Sequence, residues 1–186
     1  MLVIYLTYEV EVKIKAFNLE ILEELLIEKG AIIIDIINQR DHYYNHPSRD
    51  FQETDEAVRI REEGDLVYLT YKGPKIDKKS KSRIEEQVEV KNFEVTKNIL
   101  TRLGFKKVLT VIKDRRSYQM RGFTICMDTV DSLGTFVEIE KEIENLDDMV
   151  KTRDEIYQLA KDIMLKPHEN GIRKSYLELI LEKKNE

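Results

Sequence analysis

Alternating charge is the feature that most limits the folds open to this chain. At a period of two, Glu9, Glu11 and Lys13 fall on one face of a strand. Arg59 and Arg61 do the same, as do Arg83, Glu85, Gln87 and Glu89, then Lys113 and Arg115, then Glu138 and Glu140. Between them sit Val10, Val12, Ile60, Val88, Val90, Val137 and Ile139, suited to packing under helices. An ordinary half-buried sheet turns its apolar face to the core and leaves the polar face wet. Cross-strand ion pairs on such a face contribute about 0.2–1 kcal/mol each. That reading serves any single pair but is strained by the whole set. Loops and helices already supply ample solubilising charge in a chain with 31 Lys and Arg against 36 Asp and Glu. The sharper reading is a sheet curled into a barrel, charged face inward, with its apolar exterior covered by helices. Such an interior must be wet or hold charged ligands, because unpaired buried charge is very costly.

The rest of the periodicity supplies the covering pieces. Residues 3–15 alternate; Asn18 then caps a helix with a Leu19, Leu22, Leu25 and Leu26 stripe that stops at Lys29-Gly30. Residues 31–39 are β-branched and strand-like, and 42–55, with His46-Pro47, read as a loop. Strands are predicted over 57–62, 66–72 and 83–91, with a tight turn at Gly64-Asp65 and a mobile Lys-rich loop over 73–82. A second helix spans 92–103 and stops at Gly104; strands follow over 106–116, 118–130 and 135–142. The tail is helical over 146–165, and Ser175 caps a last helix through Glu182. Strands joined by short turns outnumber helices, which favours an antiparallel α+β fold. Val10-Glu11-Val12-Lys13, a helix, Gly30 and a strand resemble Val88-Glu89-Val90-Lys91, a helix, Gly104 and a strand, which predicts a pseudo-twofold arrangement.

A length of 186 residues suits one domain over 1–186. The single cysteine, Cys126, excludes a disulfide framework and Cys-rich zinc motifs. A net charge of −5 argues against a nucleic-acid partner. No apolar run is long enough for a signal peptide or membrane span, so a soluble, cytoplasmic protein with no membrane partner is expected. The inward bases suggest phosphate, since Arg forks grip its oxygens bidentately and Lys supplies point charge. Carboxylates without His or Cys neighbours suit hard cations such as Mg²⁺ or Mn²⁺. Together they point to a metal-bound polyphosphate.

At Glu9-x-Glu11-x-Lys13 the sequence resembles the CYTH superfamily, the triphosphate tunnel metalloenzymes. The resemblance continues through Gln39-x-Asp41-His42-Tyr43-Tyr44, Thr54-Asp55-Glu56-Ala57-Val58-Arg59-Ile60-Arg61, Leu69-Thr70-Tyr71-Lys72-Gly73-Pro74-Lys75 and Arg83-x-Glu85. It extends to Lys113-x-Arg115, Asp128-x-Val130 and Leu133-Gly134-x-Phe136-Val137-Glu138-Ile139-Glu140. Ser175-Tyr176-x-Glu178-Leu179 is similar to the C-terminus of the class IV adenylate cyclase branch.

The resemblance implies an eight-stranded antiparallel barrel open at both ends, with helices outside. It implies that Glu9, Glu11, Glu138, Glu140 and Asp128 hold Mg²⁺ or Mn²⁺, and that Lys13, Arg59, Arg61, Lys72, Arg83, Lys113 and Arg115 hold triphosphate oxygens, with Lys13 and Glu138 catalytic. Gln87 departs from the family carboxylate and puts Glu85 in doubt as a ligand. The implied partner is ATP, thiamine triphosphate or tripolyphosphate, and related barrels suggest a homodimer. The implied reaction is cyclisation of ATP; the alternatives are triphosphate hydrolysis and a non-catalytic nucleotide or polyphosphate sensor. Beside this, the Lys75-to-Lys81 run reads as an exposed charged loop, and His42 and His46 as loop residues rather than a zinc pair. Cys126 reads as a small core residue, and Tyr43 and Tyr44 as packing at the barrel mouth or stacking on a base.

Overall fold

The computed structural model describes residues 8–77 and 80–185. In chain order it forms β1 (Tyr8–Lys15), α1 (Leu19–Glu28), β2 (Ile32–Asn45), α2 (Phe51–Thr54), β3 (Ala57–Glu63) and β4 (Leu66–Lys72). Then come β5 (Arg83–Glu89), α3 (Phe93–Arg102), β6 (Lys106–Met120), β7 (Phe123–Val130) and β8 (Gly134–Ile143). A 3-10 turn at Leu146–Asp148 leads into α4 (Met149–Asp162), α5 (Pro167–Asn170), β9 (Gly171–Ile172) and α6 (Tyr176–Asn185).

The first eight strands run in the order β5-β4-β3-β2-β6-β7-β8-β1 and close on themselves through β1 and β5. Every pairing is antiparallel. The expected barrel with flanking helices is therefore present. Among the described residues, Tyr8↔Ile84 and Glu9↔Arg83 join β1 to β5 at the seam. Beyond them, Lys81 N–H donates to Glu11 O at 3.0 Å, and β9 pairs with Lys13 and Ile14. The connectivity carries the expected pseudo-twofold. The unit β1–α1–β2 matches β5–α3–β6, with β2 against β6 on one side and β1 against β5 on the other.

Period two sends Val10, Val12, Ile14, Ile125, Met127, Val137 and Ile139 outward, where Leu22 and Leu26 of α1 and Ile156, Leu159 and Ala160 of α4 bury them. Each such side chain contributes about 1.5–3 kcal/mol when fully buried. On the far wall Leu100 of α3 packs with Val58 and Ile60 of β3. Asn18 and Asn92 cap the two matched helices by accepting from Ile21 N (3.2 Å) and Val95 N (3.0 Å). At one end of the barrel the inward positions turn apolar, and Tyr43, Leu109, Val111, Val130 and Phe136 pack with Tyr176 and Ile180 of α6. Ser175 starts that helix with a capping box: its Oγ accepts from Glu178 N at 3.1 Å while its own N–H donates to Glu178 Oε2 at 2.6 Å.

Two boundaries differ from expectation. β2 runs on to Asn45, because His42 and Tyr44 find partners on both sides, in β3 and in β6. Only the later part of 42–55 leaves the sheet, and it contains α2. β6 passes Ser117 and turns at Arg121-Gly122, both at positive φ (52° and 79°), the geometry of a two-residue hairpin. The predicted first strand begins outside the described residues. No helix among the described residues is long and apolar enough to cross a membrane.

Candidate metal and phosphate site

The barrel encloses a cavity of about 720 Å³. Its acidic corner follows from strand register: β1 lies against β8 with Glu11 opposite Glu140 and Lys13 opposite Glu138. Glu9, Glu11 and Glu140 each present an oxygen within 4.8 Å of the others. Burial raises the Glu140 carboxyl to about 8, and the neighbouring Glu9 charge adds to it. Burial likewise raises Glu11, aided by Glu138, and raises Glu9 against the pull of Lys72. Three carboxyls this close, one buried and two half-buried, repel one another when ionised, and a cation among them relieves that repulsion.

Resident cations already sit at the edge of this corner. Lys81 Nζ donates to both oxygens of Glu11 (2.6 and 2.7 Å) and lies 3.7 Å from Glu138. Lys13 Nζ is 3.1 Å from Glu138, donates to the Lys174 carbonyl at 3.2 Å and stands 3.6 Å over the Tyr176 ring. Burial, helped by the Lys81 charge, brings Lys13 down to about 8. Burial alone would raise Glu138, but Lys13, Lys81 and Arg115 outweigh it and hold the carboxyl well below its usual range.

The opposite wall is basic and organised by Asp41, which is 1% exposed. Asp41 accepts from Arg61 Nε (2.6 Å) and Nη2 (2.9 Å), Arg59 Nη1 (3.3 Å) and Lys113 Nζ (2.9 Å). Burial would raise Asp41, yet Arg61, Lys113 and Arg59 keep it well below the carboxylate range. Burial and the Arg61 charge bring Lys113 down to about 7. Arg115 forks onto Asp128 at 2.7 and 2.6 Å and also reaches Glu138. Lys72 joins Glu9 (3.0 Å) and Glu85. Burial works against Glu85, but Lys72 and Arg59 bring it to about 2. One cationic donor stands out as unsatisfied: Arg59 Nε is buried with no hydrogen-bond partner. Arg83, 5% exposed, forms no ion pair among the described residues. A buried cationic donor left over beside a cavity fits an anionic ligand.

All seven expected bases, Lys13, Arg59, Arg61, Lys72, Arg83, Lys113 and Arg115, line this cavity, and so do Glu9, Glu11, Glu138 and Glu140. Asp128 does not. It is fully buried behind Arg115, with Tyr176 Oη donating to it at 2.7 Å, so the structure keeps it apart from the Glu9, Glu11 and Glu140 group and makes it the anchor of Arg115. Cys126 is buried as expected, but it lies opposite Glu138, and burial pushes its thiol up. The exposed-loop reading of Lys75 to Lys81 is corrected at its two ends, and residues 78 and 79 lie outside the described residues. Lys81 enters the barrel, and Lys75 Nζ donates to Asp55 (2.6 Å) and Glu178 (3.2 Å). Lys81 carried no signal because its segment has no strand period. His42 contacts Glu62 (2.8 Å) and Thr110 (3.1 Å). Tyr43 and Tyr44 are packed, in separate apolar clusters. Gln87 accepts from Thr70 at 2.9 Å.

The CYTH domain family model matches residues 7–176. A Methanocaldococcus jannaschii protein, named as a proposed adenylate cyclase, is 41% identical over 171 residues, which span 92% of this chain and 97% of the other. Among solved structures, the PH1819 protein of Pyrococcus horikoshii OT3 is 40% identical, with a TM-score of 0.86 over 94% of this chain and 99% of its own. A Hippeastrum protein described as a proposed adenylyl cyclase with a dominant triphosphatase activity has a TM-score of 0.65 over 97% of this chain and 96% of its own. At 12% identity that last likeness is one of fold alone.

Proposed function

This chain belongs to the CYTH family, whose members bind triphosphates, and from that premise we infer a divalent-metal-dependent enzyme that acts on a triphosphate inside the barrel, with cyclisation of ATP as the favoured reaction. The observation that carries this reading is the pairing of an acidic corner with a basic wall across one cavity, where Arg59 Nε is buried and unsatisfied. The same cavity extends past the cations to Tyr43, Leu177 and Leu181, set among polar residues such as Asn45, Asp50 and Glu178, which leaves space for an organic group beyond the phosphates.

Glu9, Glu11 and Glu140 offer the all-oxygen donor set that suits Mg²⁺ or Mn²⁺, with Glu138 beside them. Such an ion would supply Lewis-acid polarisation of a phosphoryl oxygen. Arg59, Arg61, Arg83, Lys113 and Arg115 hold phosphate oxygens and stabilise charge as it grows on the leaving group. Lys13, with a pKa near 8, handles a proton close to neutral pH while Glu138 positions it. In a cyclase the ribose 3′-oxygen attacks the α-phosphorus and pyrophosphate leaves; in a hydrolase water attacks the terminal phosphorus and orthophosphate leaves.

Phosphorus NMR with Mg²⁺ or Mn²⁺, and ATP or tripolyphosphate in separate tubes, tests the reading. Cyclic AMP with pyrophosphate, abolished by Glu138→Gln, is the expected result. Orthophosphate formed fastest from tripolyphosphate would replace cyclase with hydrolase. Binding without turnover in either tube would sink the enzyme reading.

Lys81 gives an independent check. Its ammonium competes with a divalent ion at Glu11 and attracts phosphate. Lys81→Met is therefore expected to tighten Mg²⁺ binding and weaken tripolyphosphate binding, each by about tenfold, the equivalent of roughly 1.4 kcal/mol. Calorimetry on the two ligands separately reads both changes, and a parallel loss of both would mark Lys81 as merely structural.

A further inference from the structure

Lys81 reaches the acidic corner from outside the ladder. β5 begins at Arg83, and its pairing with β1 stops there. Lys81 is nonetheless buried, as are Ser80 and Ser82 on either side of it, and its Nζ donates to both oxygens of Glu11. A long, flexible side chain keeps its charge at one spot only where the main chain beneath it is held.

Short-range bonds do part of the holding. Lys81 N–H donates to Glu11 O at 3.0 Å, and Ile76 N–H donates to Ser82 O at 2.9 Å. Ser80 Oγ donates to Asp77 Oδ2 at 2.6 Å. The distant contribution comes from Arg173. Its Nη2 donates to the Asp77 carbonyl at 2.8 Å, and its Nε donates to the Ser80 carbonyl at 3.4 Å. One planar guanidinium thus grips two main-chain carbonyls three residues apart, which a single ammonium does not match.

Arg173 is itself placed by the barrel. It follows β9, whose Gly171 and Ile172 pair with Ile14 and Lys13 of β1. The next residue, Lys174, gives its carbonyl to Lys13 Nζ, and the Tyr176 ring lies beneath the same ammonium. One short stretch of chain therefore organises both lysines that flank Glu138. Beside it lies a second cavity of about 310 Å³, lined by Ser80, Lys81, His168 and Arg173 among others. A loosened Lys81 has room there to withdraw from Glu11.

We propose that Arg173 is a positioning residue for the metal corner. Its fork on the Asp77 and Ser80 carbonyls fixes the main chain that holds the Lys81 ammonium against Glu11, and so sets the balance between divalent-ion and triphosphate affinity. This role rests on the metal-dependent reading of the barrel, in which Glu11 serves a divalent ion.

Hydrogen exchange on ligand-free Arg173→Gln is the first test. The Lys81 amide is expected to exchange about tenfold faster, while the β1 amides paired with β8 keep their rates. Calorimetry with Mg²⁺ and with tripolyphosphate, separately, is expected to show opposite shifts of about threefold each, tighter for the ion and weaker for the anion. Both shifts vanish in a Lys81→Met background, where no ammonium is left to position. Arg173→Lys keeps the charge without the fork; it is expected to shift both affinities the same way, and it stands in if Arg173→Gln misfolds. Arg121→Gln, which removes an exposed charge paired with Asp162, leaves both affinities unchanged. An unaltered Lys81 exchange rate, a parallel loss of both affinities, shifts that persist in the Lys81→Met background, or wild-type affinities in Arg173→Lys would each overturn the role. Flat affinities in Lys81→Met itself would overturn the metal reading and with it the ligand half of this role. That failure is told apart from the others by a Lys81 amide that still exchanges faster in Arg173→Gln.

Discussion

Glu140→Gln is expected to lower turnover with Mg²⁺ or Mn²⁺ by about 10³-fold. Metal polarisation of a phosphoryl oxygen is worth several kcal/mol, and each 1.36 kcal/mol is tenfold in rate. The same change is expected to leave the fold nearly untouched. With its pKa near 8, the Glu140 carboxyl holds a proton at pH 7 in the absence of metal, and Gln is its neutral isostere. A melting shift within about 2–4 °C, the equivalent of roughly 1 kcal/mol, follows. The sign of the pH dependence is fixed too. Below pH 8 a divalent ion must displace that proton, so affinity rises with pH up to about 8 and then levels. Calorimetry in buffers of different ionisation enthalpy counts the proton released by the wild type and missing in Glu140→Gln. Turnover within tenfold of wild type would remove Glu140 from the metal corner.

Asp41→Asn is expected to act on stability instead. It leaves Arg59, Arg61 and Lys113 facing one another without their shared counter-charge. Breaking a buried ion pair typically costs 3–5 kcal/mol. The lower figure applies here, because Lys113, already near 7, relieves the strain by shedding its proton. About 3 kcal/mol corresponds to a melting drop of roughly 6–12 °C at this size. Tripolyphosphate supplies the missing negative charge, so it is expected to raise the melting temperature of the variant more than that of the wild type. Because the folded Asp41 pKa is depressed, its stabilisation is present above its unfolded value near 3.9 and is lost as pH falls through the folded one. The gap between wild type and variant therefore persists at pH 4 and closes only in stronger acid. Equal melting curves at pH 7 would show that the three cations are held by something other than Asp41.

What could be read from the chain beforehand was whatever a period of two encodes. Glu9, Glu11 and Lys13, or Arg59 and Arg61, announce a shared face without any knowledge of neighbours, and the closed barrel follows from having many such faces. Which charge meets which is a matter of register, and register is a property of strand pairs. The Arg115↔Asp128 pairing turns an expected ligand into an anchor, and nothing within either strand foretells it. Lys81 lies beyond periodicity altogether, because its place is fixed by a main-chain bond to Glu11 next to the β1–β5 seam. Strand ends escape the period where polar residues continue a ladder, as at His42, and where a tight turn needs no proline, as at Arg121-Gly122.

Glu11 and Lys13 are buried in β1, while their counterparts in the repeat, Glu89 and Lys91, are exposed, and Glu9 is matched by an uncharged Gln87. A tripolyphosphate ion is itself symmetric about its central phosphorus, and in a cavity with two equivalent halves its ends would be interchangeable. Here the frame is duplicated but its lining is not, so the two ends of a symmetric guest would meet different chemistry. Desymmetrisation of that kind gives a near-symmetric host a defined direction, and with it a choice of which phosphorus is presented for attack.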